Sequence, residues 1–203
     1  MARRSKEEAE QTRELLLDAA EEVFLEVGVS DASLETIAKR AGVTRGALYW
    51  HFKNKMDLFD AMHARVKLPM DALYDAALTM DDPMSGLKDL CLTCLTRLTS
   101  DERARRVSTI LIFHSGQAAA ANETTAHLHQ TGQEFTEKFR KVFAIAQKQG
   151  QLKKEVTPEV AAHSLHAYLY GLHANYLRAP GLLPLDAIAG NLMDVFFESI
   201  RAK

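Results

Sequence analysis

Residues 33–55 read SLETIAKRAGVTRGALYWHFKNK, a run that holds a complete pair of short helices and the joint between them. Two short helical patterns flank the joint Arg40-Ala41-Gly42-Val43. The first, from Leu34, carries Ile37 and Ala38 inward, with Ala38 small enough for two helices to cross closely. Gly42 stands where the turn needs a positive φ, a conformation that costs glycine nothing. Thr44 is a good N-cap for the second pattern, which buries Ala47 and Leu48. Such a pair fits a helix-turn-helix, whose second helix lies in the major groove of DNA.

The charge in this stretch agrees. From Thr36 to Met56 there are five basic residues, Lys39, Arg40, Arg45, Lys53 and Lys55, and no acidic one. Tyr49, Trp50 and His51 are interleaved among them, so positive charge and hydroxyl and ring N–H donors occur together, as a phosphate backbone requires. A helical hairpin with a solvated basic face is the plain alternative. It leaves the Ala/Gly/Leu spacing and the cap unexplained. Arg45, at the front of the second helix, is the candidate base reader, because its guanidinium can fork onto guanine O6 and N7. Gly46 has no side chain to hold the backbone off the duplex. Ser33, Thr44 and the start of the helix at Lys55 place helix N-termini where they can face phosphates. Trp50 is read as packing beneath the recognition helix, with a backbone contact as the other possibility. The arm with Arg3, Arg4 and Lys6 could reach DNA or stay solvated.

The run Thr44-Arg45-Gly46-Ala47-Leu48-Tyr49-Trp50-His51-Phe52, followed by Lys53-Asn54-Lys55, resembles the signature of TetR-type transcriptional repressors. The opening MARRSKEEAE with Gln11-Thr12-Arg13 is similar to the AcrR-like branch, which represses multidrug-efflux operons. The close match covers about the first 65 residues. Beyond it the resemblance rests on length, helical pattern and fragments such as Phe113-His114, Ala167-Tyr168 and Gly171-Leu172. The resemblance implies phosphate contacts from Tyr49, His51 and Lys55. It implies a homodimer on palindromic double-stranded operator DNA, closed by the last two helices of each subunit. A hydrophobic small-molecule effector is implied as well. The expected division is a DNA-binding domain over 1–54 and a ligand-binding and dimerisation domain over 55–203.

The whole chain is compatible with this. Its 203 residues suffice for one large or two small domains, and 47% hydrophobic with 26% charged residues is an ordinary globular composition. The net charge of −2 means that DNA affinity must come from a local patch. Helix formers dominate, and an all-α fold of about nine helices is predicted. Residues 7–27 place Leu16, Ala19, Ala20, Val23, Phe24 and Val27 on one face, and Gly28 supplies a stop. A long helix starts near Asn54, with a kink or break at Pro69. Asp82-Pro83, Ser100-Asp101 and Thr157-Pro158-Glu159 open further helices, 117–148 is mostly helical with Gly132 as an interruption, and a last helix spans 185–201. The helix ending near Arg178 and the last one are apolar over arcs too wide for one face, which suits either a central place in a single subunit or burial against a partner. No apolar run reaches transmembrane length and no signal-peptide core is seen, so a cytoplasmic location with no membrane partner is expected.

A hydrophobic effector needs an apolar cavity with a few polar anchors. The candidates are Leu87, Leu90, Cys91 and Cys94 on one helix, Ser108, Ile112, Phe113 and His114 on the next, and His166, Leu169, Tyr170 and Asn175 on the penultimate one. Several match pocket positions of AcrR-like repressors, and core packing is the alternative for each. Pro69 is a place where ligand-driven motion could be transmitted. Eight histidines, including His127 with His129 and His163 with His166, form no compact ligand set, so no metal or cofactor is expected. Cys91 and Cys94 lie among leucines, where cysteine acts as a small hydrophobe. No motif of catalysis is present, and no catalytic residue is assigned. A regulator answering a metal or redox signal, or a helical enzyme with an accessory DNA-binding fold, remain the alternatives.

Overall fold

The computed structural model describes residues 2–114 and 123–202, apart from the side chains of 2–5, 68, 69 and 123–129. Among these residues there are nine α-helices and no β-strand, only an isolated bridge between Leu152 and Arg201. The first helix, α1, runs Ala2–Asp31 and is kinked at Gly28, whose φ of 81° lies in the left-handed region open to glycine. The stop expected at Gly28 is thus a kink followed by one more turn. The first turn of α1 takes the place of the arm expected at Arg3, Arg4 and Lys6. Next come α2 (Leu34–Arg40), α3 (Arg45–His51) and α4 (Lys55–Thr79). Helix α4 passes through position 69 unbroken, against the expected break at Pro69. A proline inside a helix removes one N–H from the ladder and crowds the carbonyl four residues back, a cost of about 3 kcal/mol that packing along a helix of 25 residues outweighs.

The chain forms two compact units, each with its own core. The first comprises Met1–Val66 and Arg106–Leu128. Its core gathers Leu16, Leu17, Ala20, Val23 and Phe24 of α1 with Ile37, Leu48, Leu58, Phe59 and Met62. Val27 is half exposed, whereas Leu17, which the expected face left out, is fully buried. The Phe24 and Phe59 rings meet edge-on at 6.1 Å. Val107 and Ile110 complete this core from helix α6 (Glu102–Thr109) and the π-helical turn Ile110–His114 that follows it. One charged cluster is built into the same unit. Glu21, with no exposed surface, receives Arg65 Nη1 at 2.7 Å, and Arg106 Nε lies 3.2 Å from its other oxygen. Arg65 also donates to Asp18 at 2.7 Å and to Glu14.

The second unit comprises Lys67–Arg105 and His129–Lys203. It holds most or all of α5 (Pro83–Ser100), α7 (Glu123–Lys148), α8 (Pro158–Arg178) and α9 (Leu185–Ile200). Gly132 does not interrupt α7, since glycine inside a helix costs only about 1 kcal/mol. Leu87, Leu95, Phe143, Leu165, Met193 and Phe197 are fully or almost fully buried at its centre. The expected caps are in place: Asp82 on Ser85 N, Asp101 on Ala104 N and Thr157 on Val160 N. Arg201 reaches back to grip both oxygens of Asp82 at 3.0 Å. Partial burial pushes the Asp82 carboxyl up, but the bonds from Arg201 and Ser85 outweigh it and hold the pKa down at about 2.

Candidate nucleic-acid interface

The helix-turn-helix is assembled by local bonds that the sequence writes out. Ser33 Oγ accepts from Thr36 N at 3.0 Å and so starts α2. The chain leaves α2 through Gly42, at φ 69°, and Val43 N bonds back to Ala38 O at 3.0 Å. Thr44 Oγ1 then accepts from Ala47 N at 3.1 Å and starts α3. Inside the pair Ile37, Ala38 and Leu48 are buried as expected, whereas Ala47 is half-buried. With seven residues, α3 can bury one narrow stripe, which is centred on Leu48.

That stripe determines what faces solvent. Each helical residue turns about 100° from the last, so positions 46 and 50 fall opposite Leu48 and 49 to its flank, while Arg45 is the first residue of the helix and extends past its end. Arg45, Gly46, Tyr49 and Trp50 are all exposed. The packing expected of Trp50 beneath the helix is not found; the residue is 73% exposed, because two positions beyond Leu48 is the far side of the helix. Its ring meets that of His51 edge-on, 4.5 Å between centroids. The Arg45 guanidinium lies 5.4 Å from the centre of the Tyr49 ring, and its Nη2 is 3.4 Å from the phenol oxygen.

The positive patch is smaller than the count of basic residues suggested. Arg40 is clamped by Glu26, with two bonds of 2.8 Å, and by Glu22 at 3.2 Å. Lys55 turns inward and donates to Ser30 O at 2.7 Å and Ala32 O at 3.0 Å, closing the carbonyl end of α1, and burial lowers its pKa. Lys39, Arg45 and Lys53 remain on the outside. His51 is half-buried, and its pKa is lowered first by that burial and then by the charge of Arg13. Arg13 itself lies 5.5 Å above the Phe52 ring, a contact the sequence reading missed because 39 positions separate the two residues.

The twelve effector candidates fall into both units. Leu87, Leu90, Cys91 and Leu169 are buried together in the core of the second. Cys94 is half-buried with Sγ 3.2 Å from Met70 Sδ, and burial pushes its thiol up to about 11. Burial also pushes the Cys91 thiol up, well above its ordinary value. Both are protonated at neutral pH, which suits small hydrophobes better than redox sensors. His166 is half-buried with Nδ1 3.1 Å from Thr136 Oγ1. Tyr170 and Asn175 are exposed, on the side of α8 turned away from that core. Ser108, Ile112, Phe113 and His114 are half-buried in the first unit. Their spacing is not that of one α-helix, because Ile110–His114 is π-helical and its wider turns shift the register. Among the described residues no three His, Cys, Asp or Glu side chains gather as metal ligands; the side chains of His127 and His129 lie outside those residues.

A capped helix that commits only Leu48 to the core and presents an arginine and aromatic side chains to solvent is built for reading a surface. The class of protein it defines is a helix-turn-helix regulator of transcription. Residues 16–62 match the family described as "Bacterial regulatory proteins, tetR family", and residues 88–200 match "BetI-type transcriptional repressor, C-terminal". The chain belongs to the TetR family of bacterial transcriptional regulators. Among its relatives, the transcriptional repressor BepR of Brucella suis is 32% identical over 98% of this chain and 97% of its own. The crystal structure of NalD, described as the secondary repressor of the MexAB-OprM multidrug efflux pump in Pseudomonas aeruginosa, is 40% identical. It covers 97% of this chain and 99% of its own, with a TM-score of 0.85. The complex of SmeT from Stenotrophomonas maltophilia with triclosan is 31% identical over 95% of this chain and 93% of its own, with a TM-score of 0.86. Among the described residues no helix is long and apolar enough to cross a membrane.

Proposed function

We propose that this chain is a ligand-responsive repressor of a multidrug-efflux operon, which binds a palindromic operator as a homodimer and is released by hydrophobic small molecules. The observation that carries the DNA half is the exposed face of α3, with Arg45, Tyr49 and Trp50 clear of the core. Ser33, Thr44, Gly46, His51 and Lys55 shape or flank that face. A single helix of seven residues reads few bases, so two copies on a two-fold operator are the economical solution. The proposed dimer uses α8 and α9, whose Tyr170 and Val195 are 54% and 68% exposed. Residues 1–54 serve DNA and 55–203 serve effector and partner. The efflux assignment is supported by NalD, described as an efflux-pump repressor, at 40% identity along almost the whole chain.

The effector is apolar with few polar groups, matched to a mostly apolar lining that includes Cys94, Leu169 and His166. Triclosan, the ligand named with SmeT, is the first probe. A route for the signal is offered by α6, because its Arg106, Val107 and the following Ile110 pack within the DNA-binding unit. Coupling of about 1–3 kcal/mol would release DNA several-fold or more. The test uses an operator selected from random duplexes, with binding followed by fluorescence anisotropy. Wild-type protein binds and is displaced by triclosan or another lipophilic antibiotic, dye or bile salt. If DNA binds and no such compound displaces it or shifts the melting temperature, the effector half of the proposal is wrong.

A further inference from the structure

We infer that Tyr49 is a positioning residue for Arg45, holding the guanidinium fork in place before the base edge is met. The inference rests on the reading of Arg45 as the base-reading side chain. The two residues are four apart on α3, so they share one face. Side chains on a helix lean toward its N-terminus, which lays the Tyr49 ring back over the turn that carries Arg45. The guanidinium carbon is 5.4 Å from the ring centre, and Nη2 approaches the phenol oxygen at 3.4 Å. Tyr49 raises the Arg45 pKa, with the hydrogen bond as the largest cause. Between them Gly46 leaves the face open: a Cβ there would meet only Thr44 Oγ1, at 3.8 Å.

An arginine at the exposed front of a helix has four flexible torsions to order when it binds. A ring beneath it restricts those torsions in the free protein and reduces what must be lost on the duplex. The stacked fork keeps the plane in which its donors lie, and that plane selects guanine. The phenol hydroxyl accepts from Arg45, and its own proton is still available to a phosphate oxygen. Tyr49 can therefore serve as a phosphate contact and as a rest for Arg45 together. The two roles leave different signatures. A phosphate contact weakens all operators alike, whereas a positioning residue acts only through Arg45 and only at the base pair Arg45 reads.

The experiment is a double-mutant cycle. Arg45→Ala, Tyr49→Ala, Tyr49→Phe and Arg45→Ala/Tyr49→Ala are titrated with the operator selected by the wild type and with single-base-pair variants of it. Tyr49 is 45% exposed, so the variants are expected to melt with the wild type, and this is checked. Arg45→Ala lowers discrimination at its base pair by about tenfold or more. Tyr49→Ala lowers discrimination at the same pair by about two- to fivefold, the equivalent of one exposed cation–π contact. Tyr49→Phe, which keeps the ring, discriminates within about twofold of the wild type. In the Arg45→Ala background, Tyr49→Ala causes no further loss of discrimination. Equal weakening of every duplex by Tyr49→Ala, or losses of discrimination that add in the double variant, would overturn the inference. Failure of Arg45→Ala alone to relax any position would instead refute the base-reading assignment, and the inference with it.

Discussion

Replacing Arg65 by alanine removes the guanidinium that bonds Glu21 at 2.7 Å, in a site where Glu21 has no exposed surface and the Arg65 side chain has 9%. Breaking a buried pair from one side costs roughly 3–5 kcal/mol, because the remaining charge keeps its desolvation penalty. Arg106, 3.2 Å from the other Glu21 oxygen, stays in place and reduces that figure toward about 3 kcal/mol. Asp18 and Glu14 also lose Arg65, but they are 47% and 44% exposed and water replaces the contact. In a chain of this size each kcal/mol moves the midpoint by about 2–4 °C, so a drop of roughly 6–12 °C is expected. Glu21→Gln is milder, about 1–2 kcal/mol, since the amide oxygen still accepts from Arg65 and Arg65 keeps Asp18 and Glu14. The double variant Glu21→Met/Arg65→Met removes both charges and should recover part of the loss of Arg65→Ala. Urea unfolding and thermal melting at one fixed protomer concentration measure all three, because dimerisation makes the midpoint concentration-dependent. The reasoning is refuted if Arg65→Ala costs under about 1 kcal/mol, or if Glu21→Gln costs more than it does.

Further expectations follow from the same geometry. The His51 pKa lies below its ordinary 6.5 in the free protein, and a phosphate would favour the imidazolium and raise it on DNA. Binding then takes up a proton, so affinity rises as pH falls through 6.5 toward the free-protein value. His51→Gln should flatten that profile between pH values of about 5.5 and 7.5, and an equally sloped profile in the variant would exclude the contact. Lys55→Ala should lower the melting temperature as well as DNA affinity, because Ser30 O and Ala32 O lose their donor; a variant that only flattens the salt dependence would show that the clamp is dispensable. Val195→Glu and Tyr170→Glu are expected to yield folded monomers of 22.6 kDa by light scattering, since both side chains are exposed in the single subunit. Phe197→Glu should instead unfold the chain, because Phe197 is 2% exposed within its own core. Variants of Val195 and Tyr170 that stay dimeric would move the interface elsewhere.

The elements that depend on neighbours in sequence were legible in advance. Caps at Ser33, Thr44, Asp82, Asp101 and Thr157, the positive φ of Gly42, and the inward turn of Ile37, Ala38 and Leu48 each involve residues within a few positions of one another. Local sterics and short side-chain bonds settle such features, so the all-α fold and the reading helix followed from the chain alone. Tertiary structure decided which charges are spent and which faces are open. Glu22 and Glu26 neutralise Arg40 from another helix, and Lys55 is drawn to carbonyls 23 and 25 positions away. Trp50 and Tyr170 proved exposed because each helix buries only the stripe its partners cover, and periodicity cannot say which of two apolar stripes that is. Arg106 belongs to the DNA-binding unit and Ile110 to its core, although they follow the rest of it by some 40 residues. An ion pair or a core contact formed across such a separation is chosen by the packing of whole helices, and sequence spacing carries no record of it.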